Sequence, residues 1–234
     1  PALATAGNPG MTTCRIVFDL DDTLYPERQF ALSGFRAAGT WAQARYGVDG
    51  LADEMAALLD SGHLGAVFKI SLGRANPDYS DAELAEFVEC YRDHTPEIEL
   101  YDDAEPALGF AATLGPVGLI TDGTHRVQRS KVQALGIAPH FEEIIYTNEL
   151  GGREFHKPHP RAFELMEARL GGDDVQLVYV GDNPSKDFVT PNARGWRSVQ
   201  IERGQRIHHS APVAKGGAPQ HLIHSLGELV SLLA

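Results

Sequence analysis

Three acids crowd the end of one apolar run. Residues 16–24 read I-V-F-D-L-D-D-T-L, so Ile16, Val17 and Phe18 lead straight into Asp19, Asp21 and Asp22. A β-branched and aromatic run of this kind reads as a strand buried on both faces. Two carboxylates about 4 Å apart repel by roughly 4 kcal/mol at an effective dielectric near 20, so a cation is expected beside Asp19 and Asp21. In open α/β sheets, ligands bind beyond the carboxyl ends of the strands, which is where these acids would stand.

The other apolar runs end in polar groups too. Residues 117–121 finish at Thr121, followed by Asp122 and Gly123. His156-Lys157-Pro158 precedes a helical pattern, and residues 177–180 lead into G-D-N-P-S-K-D, which holds Asp182, Asn183 and Asp187. Each of these alone has a plain structural reading: a surface lysine, an ordinary strand threonine, acids that cap helices. Together they supply carboxylates, a hydroxyl and an ammonium. Oxygen ligands suit a hard cation such as Mg²⁺, which also bridges to substrate phosphate. A lysine is a compact charge for a phosphoryl oxygen, and a hydroxyl with nearby N–H groups can donate to another. The combination is that of a phosphoryl-transfer site. Tyr25 beside the acids, Asn183, and Arg126 at a helix start, where anions are favoured, are further candidate substrate contacts. Asp22 is expected to shape the turn.

The elements that would place these groups alternate. After a first strand at 12–18, residues 30–46 and 51–59 are helical in period. Residues 62–73 are mixed, and Ser80-Asp81-Ala82-Glu83 is a capping box that opens a helix ended by Pro96. From residue 106 the pattern is helix 107–114, strand 117–121, helix 126–135, strand 143–146, helix 160–170, strand 177–180, short helix 187–194 and strand 198–201. The polar stretch 204–220 reads as a mobile loop and 221–233 as a terminal amphipathic helix. Such alternation predicts an α/β fold with a parallel sheet and helices on both faces. The first strand ends about 100 residues before the next sheet strand, far beyond the crossover a βαβ unit needs, so an all-helical unit is inserted between them.

The chain has 234 residues, 43% of them hydrophobic, enough for one good core or a core with a small second unit. A net charge of −12 argues against a general nucleic-acid binder. No apolar run reaches the ~20 residues of a membrane span. Residues 1–10 lack the features of a secretory signal, and Met11 reads as a natural start. Cys14 and Cys90 match no ligand spacing and read as reduced thiols, and the histidines, His208-His209 included, form no zinc pattern. A cytoplasmic protein is expected.

The order D-L-D-D-T-L, strand ending in Thr121, Lys157-Pro158, then G-D-x-x-x-x-D resembles the haloacid dehalogenase (HAD) superfamily over about residues 12–26 and 97–203. The resemblance implies a Rossmann-like core at 11–26 and 97–234, with a helical cap at 27–96 that closes over small substrates. It implies that Asp19 is a nucleophile forming an aspartyl-phosphate and that Asp21 is general acid and then base. Thr121 would hold a phosphoryl oxygen, and Lys157 would pair with Asp19 and the phosphate. Asp182 would bind Mg²⁺ with Asp19 and the backbone carbonyl of Asp21, and Asp187 would support or join them. Asp122 and Gly123 would lie against the substrate. The superfamily's carbon–halogen dehalogenases lack an acid two residues after the nucleophile; a phosphatase needs one to protonate an alkoxide. The expectation is a phosphomonoesterase for a small phosphorylated metabolite: a sugar phosphate, phosphoglycolate, or the nucleotide monophosphate that D-D-T-L-Y-P suggests by similarity to pyrimidine nucleotidase-like members. A phosphotransferase or mutase on the same scaffold, or a regulatory binding module with an idle site, are the alternatives.

Overall fold

An apolar run can bury both faces only at the centre of a sheet, and that is where the first one lies. In the computed structural model, which describes residues 13–63, 65–204, 206–207 and 211–233, β1 is Thr13–Phe18. The other strands are β2 (Gly118–Thr121), β3 (Glu143–Tyr146), β4 (Val175–Gly181), β5 (Arg197–Ile201) and β6 (His221–Ile223). Their order is β3-β2-β1-β4-β5-β6, and every neighbouring pair is parallel. All carboxyl ends therefore face the same way. Successive side chains of β1 feed opposite cores, as the two-residue period requires. Ile16 and Phe18 join one with Ala107, Leu108, Val132 and Leu229. Val17 joins the other with Phe163, Met166, Tyr179 and Trp196. Helices α5 (Ala104–Leu114), α6 (His125–Leu135) and α9 (Glu228–Leu233) contribute to the first core, and α7 (Arg161–Leu170) to the second; α8 (Val189–Ala193) lies beside β5.

Between β1 and α5 stand α1 (Glu27–Tyr46), α2 (Leu51–Asp60), α3 (Val67–Ala75) and α4 (Asp81–Arg92). They enclose a core of their own, with Phe35, Ala38, Met55, Leu72 and Phe87 buried in it. The capping box at the start of α4 is formed: Glu83 N–H donates to Ser80 Oγ, and Ser80 N–H donates to Glu83 Oε2 at 2.8 Å. No helix among the described residues is long and apolar enough to cross a membrane.

Two expectations are corrected. The helix over 221–233 is a strand, β6, followed by the shorter α9, because His221-Leu222-Ile223 finds the open edge of β5. The stretch 204–220 is not wholly detached: Arg206 Nη1 donates to the Asp182 carbonyl at 2.8 Å, and Ile207 N–H donates to Asp22 Oδ2 at 2.8 Å. Thr12, the N-terminal segment with Met11, and His208-His209 lie outside the described residues.

Candidate active site

Parallel topology brings the polar strand ends into one cleft, and backbone bonds set the first of them. Asp19 N–H donates to the Val180 carbonyl at 2.8 Å, extending the β1–β4 ladder one residue past the strand. Its carboxylate is thereby fixed at the tip. The turn after it needs a left-handed residue, and Asp22 supplies φ = 53°. Its Oδ1 accepts from Glu27 N–H and its Oδ2 from Ile207 N–H, so Asp22 shapes the turn.

Lys157 sits at the centre of the cleft. Its Nζ lies 2.6 Å from Asp19 Oδ1, 2.8 Å from Asp187 Oδ1 and 2.9 Å from Tyr179 Oη. The contacts to Asp19 and Tyr179 are hydrogen bonds, and the one to Asp187 is an ion pair. Burial opposes the charge on Lys157, but Asp187, Asp19 and Asp122 outweigh it and hold the ammonium well above the ordinary lysine range.

Asp19, Asp182 and Asp187 are all buried and offer carboxylate oxygens within 4.8 Å of one another. One lysine does not neutralise them. Burial lifts Asp19 to about 7, with Lys157 opposing and Asp187 adding to the rise. Burial, then Asp187 and Asp19, lift Asp182 to about 9. Asp182 Oδ2 is buried without a hydrogen-bond partner. An orphaned oxygen inside an all-carboxylate set fits a hard cation. The strand end leaves no spare room there. A Cβ on Gly181 would stand 2.6 Å from Asp187 Oδ2, and that carboxylate is pinned by Asn183 N–H at 2.9 Å. Gly181→Ala is expected to cost about 1–3 kcal/mol in denaturant unfolding, as overpacking does. An unchanged midpoint would mean that Asp187 can swing aside.

Asp21 has a separate set of partners. Its Oδ1 accepts from Lys131 Nζ at 2.6 Å and from the Tyr25 hydroxyl, and its Oδ2 from Gln128 Nε2 at 2.7 Å. Burial pushes its carboxyl up, but the Lys131 charge and the three donors more than offset that and lower it. Gln128 Nε2 also donates to Thr121 Oγ1 at 2.6 Å. Glu27 is driven to about 8, first by burial and then by Asp21.

Several expected substrate contacts have other duties. Tyr25 is fully buried and serves Asp21. Asp122 accepts from Thr147 Oγ1, Lys157 N–H and Lys186 Nζ; the Lys157 and Lys186 charges overcome burial and bring it down to about 2. It orients the lysines. Arg126 is 56% exposed and bridges to Glu89 and Asp93, linking α6 to the end of α4. Asn183 Oδ1 accepts from Ser185, closing its own loop. Gly123 turns the chain with φ = 122° toward α6. The sequence reading passed over Lys131, Gln128, Tyr179, Lys186 and Arg206. Only Gln128 and Lys131 carried a signal, as polar residues three apart on the helix that follows the Thr121 strand.

The pattern of the haloacid dehalogenase-like hydrolases matches residues 15–188, and a further HAD-hydrolase-like pattern matches 154–229. The chain belongs to this hydrolase family. The hydrolase is 31% identical over 200 residues to the glyceraldehyde 3-phosphate phosphatase of Methanopyrus kandleri, across 81% of this chain and 84% of the relative. It is 28% identical over 240 residues to the ribulose-1,5-bisphosphate 5-phosphatase of Halopiger xanaduensis, across 94% and 98%. The crystal structure of a 2-haloacid dehalogenase from Pseudomonas syringae pv. Tomato superposes with a TM-score of 0.62 at 25% identity, covering 95% and 98%. The hydrolase is an enzyme of the phosphatase type.

Proposed function

We propose that this hydrolase is a Mg²⁺-dependent phosphomonoesterase that works through an aspartyl-phosphate on Asp19. The observation that carries the reading is the buried Asp19 carboxylate, held by Lys157 at 2.6 Å beside Asp182 and Asp187. An Asp19 oxygen attacks phosphorus and the ester P–O bond breaks. Asp21, at rest a carboxylate, takes up the proton that the ester brings as its monoanion and gives it to the departing alkoxide, then takes one from the water that attacks the phosphoenzyme and frees Asp19. Thr121 and Lys157 meet the phosphoryl oxygens. Asp19, Asp182 and Asp187, with the Asp21 backbone carbonyl, would hold Mg²⁺, whose charge stabilises a transferring phosphoryl group. Asp21 favours a phosphatase over the dehalogenase chemistry named for the structural relative, since halide leaves without a proton.

The helices at 27–92 act as a cap over the substrate, with residues 27–96 as the inserted unit. Names among the relatives, glyceraldehyde 3-phosphate and ribulose 1,5-bisphosphate, favour a small sugar phosphate as the ligand. Free Cys14 and Cys90 support a reducing, cytoplasmic setting. The test is phosphate release from a panel of sugar phosphates, phosphoglycolate and nucleotide monophosphates, with Mg²⁺ and with chelator. Activity that falls about 100-fold or more without the metal is expected. Silence across the whole panel would refute the reading.

A further inference from the structure

Asp21 has neighbours that the reaction above does not use. Lys131 comes from α6 with its side chain only 4% exposed, and its ammonium lies 4.4 Å from the Phe30 ring centroid and 2.6 Å from Asp21 Oδ1. Bringing a lysine head out of water is costly unless it is paired, and its ion pair is with this one carboxylate. Gln128, three residues earlier on the same helix, holds the other oxygen.

The two carboxylate oxygens are therefore unequal. Oδ1 takes two donors, one of them charged; Oδ2 takes one and keeps an open acceptor direction. The single donor on Oδ2 is shared with Thr121, so Oδ2 and Thr121 Oγ1 lie within about 5 Å of each other.

We propose that Lys131 and Gln128 are positioning residues for Asp21, holding Oδ1 and aiming Oδ2 at the leaving oxygen of a phosphate seated on Thr121. The inference rests on the phosphatase reading. As the ester P–O bond breaks, its electron pair stays on the alkoxide oxygen, which takes from Oδ2 the proton that the ester, bound as its monoanion, delivered there. The same oxygen then receives a proton from the attacking water. A general acid has to lie within hydrogen-bond reach of its target, and a displacement near 1 Å can cost about 100-fold.

A leaving-group comparison tests this. p-Nitrophenolate departs without a proton, whereas the alkoxide of glycerol 3-phosphate needs one. The ratio of kcat/KM for glycerol 3-phosphate over p-nitrophenyl phosphate reports only steps up to departure and is unaffected by the fraction of protein that folds. The ratio is expected to fall about tenfold to a hundredfold in Lys131→Met and Gln128→Met, toward that of Asp21→Asn. Lys131→Arg is expected to recover part of it. A ratio equal to the wild type's in both Met variants, whatever the absolute loss, overturns the inference and leaves these residues a folding role. A wild-type enzyme that with Mg²⁺ cleaves neither ester nor any member of the metabolite panel would bring down the phosphatase reading as well.

Discussion

Asp19→Asn is expected to remove at least about four orders of magnitude of phosphate release and yet to stabilise the metal-free protein at pH 8. The first effect follows, on the proposed mechanism, from the loss of the nucleophile. The second follows from burial. Asp19 ionises near 3.8 in the unfolded chain and is lifted to about 7 in the fold. A carboxyl raised on folding contributes stability that is present below pH 3.8 and is lost as the pH climbs through 7. At pH 8 the folded state carries an ionised Asp19 against Asp187; an asparagine of the same shape does not. Lys157 keeps Asp187 at 2.8 Å, so the substitution does not orphan the lysine. Thermal unfolding of the variant should run several degrees above wild type at pH 8 and level with it near pH 4. Retained turnover would move the nucleophile elsewhere. A lower midpoint at pH 8 would show that the Asp19–Lys157 pair gains more than burial costs.

The placement of Asp19 was open to reading because strand burial is written in residue types. Ile16, Val17 and Phe18 demand a two-faced strand, and a parallel sheet puts every strand end on one side. Thr121, Lys157, Asp182 and Asp187 then meet by topology. What the chain did not disclose is where side chains point once helices dock. Tyr25 reads equally well as an open ring at a hinge or as a buried donor, and packing under α1 decides for the donor. Lys131 and Gln128 reach Asp21 only because α6 docks, through Val132, into the core that Ile16 and Phe18 share. Arg126, near the start of the same helix, reaches Glu89 and Asp93 at the end of α4 instead. The segment at 221–223 fits a helical stripe and a strand alternation alike, and only the free edge of β5 chooses. Arg206 and Ile207 reach the site through bonds that each have a backbone group at one end, the Asp182 carbonyl and the Ile207 N–H, and backbone groups leave no mark on composition.

Mg²⁺ titrated into the metal-free enzyme is expected to expel protons, and to bind more tightly as the pH rises from 6 to 9. Burial above all lifts Asp19 to about 7 and Asp182 to about 9, so near neutral pH these carboxyls hold protons that a cation has to displace. Each proton released makes affinity climb about tenfold per pH unit in that window. Stability follows the same sign. Without metal, the protein weakens as the pH passes 7 and then approaches 9, because both carboxyls are raised above their unfolded 3.8. A bound cation pairs with the ionised form and reverses the trend, so the rise in Tm on adding Mg²⁺ should be larger at pH 8.5 than at pH 6. Calorimetry at pH 7.5 in two buffers of different ionisation enthalpy measures the protons directly. Asp182→Asn should abolish most of both effects, since it removes the carboxyl that burial lifts furthest, to about 9. Equal heats in the two buffers, or a Tm increment that ignores pH, would mean that the metal enters a site where Asp19 and Asp182 are already ionised, and that the neighbouring lysines outweigh burial.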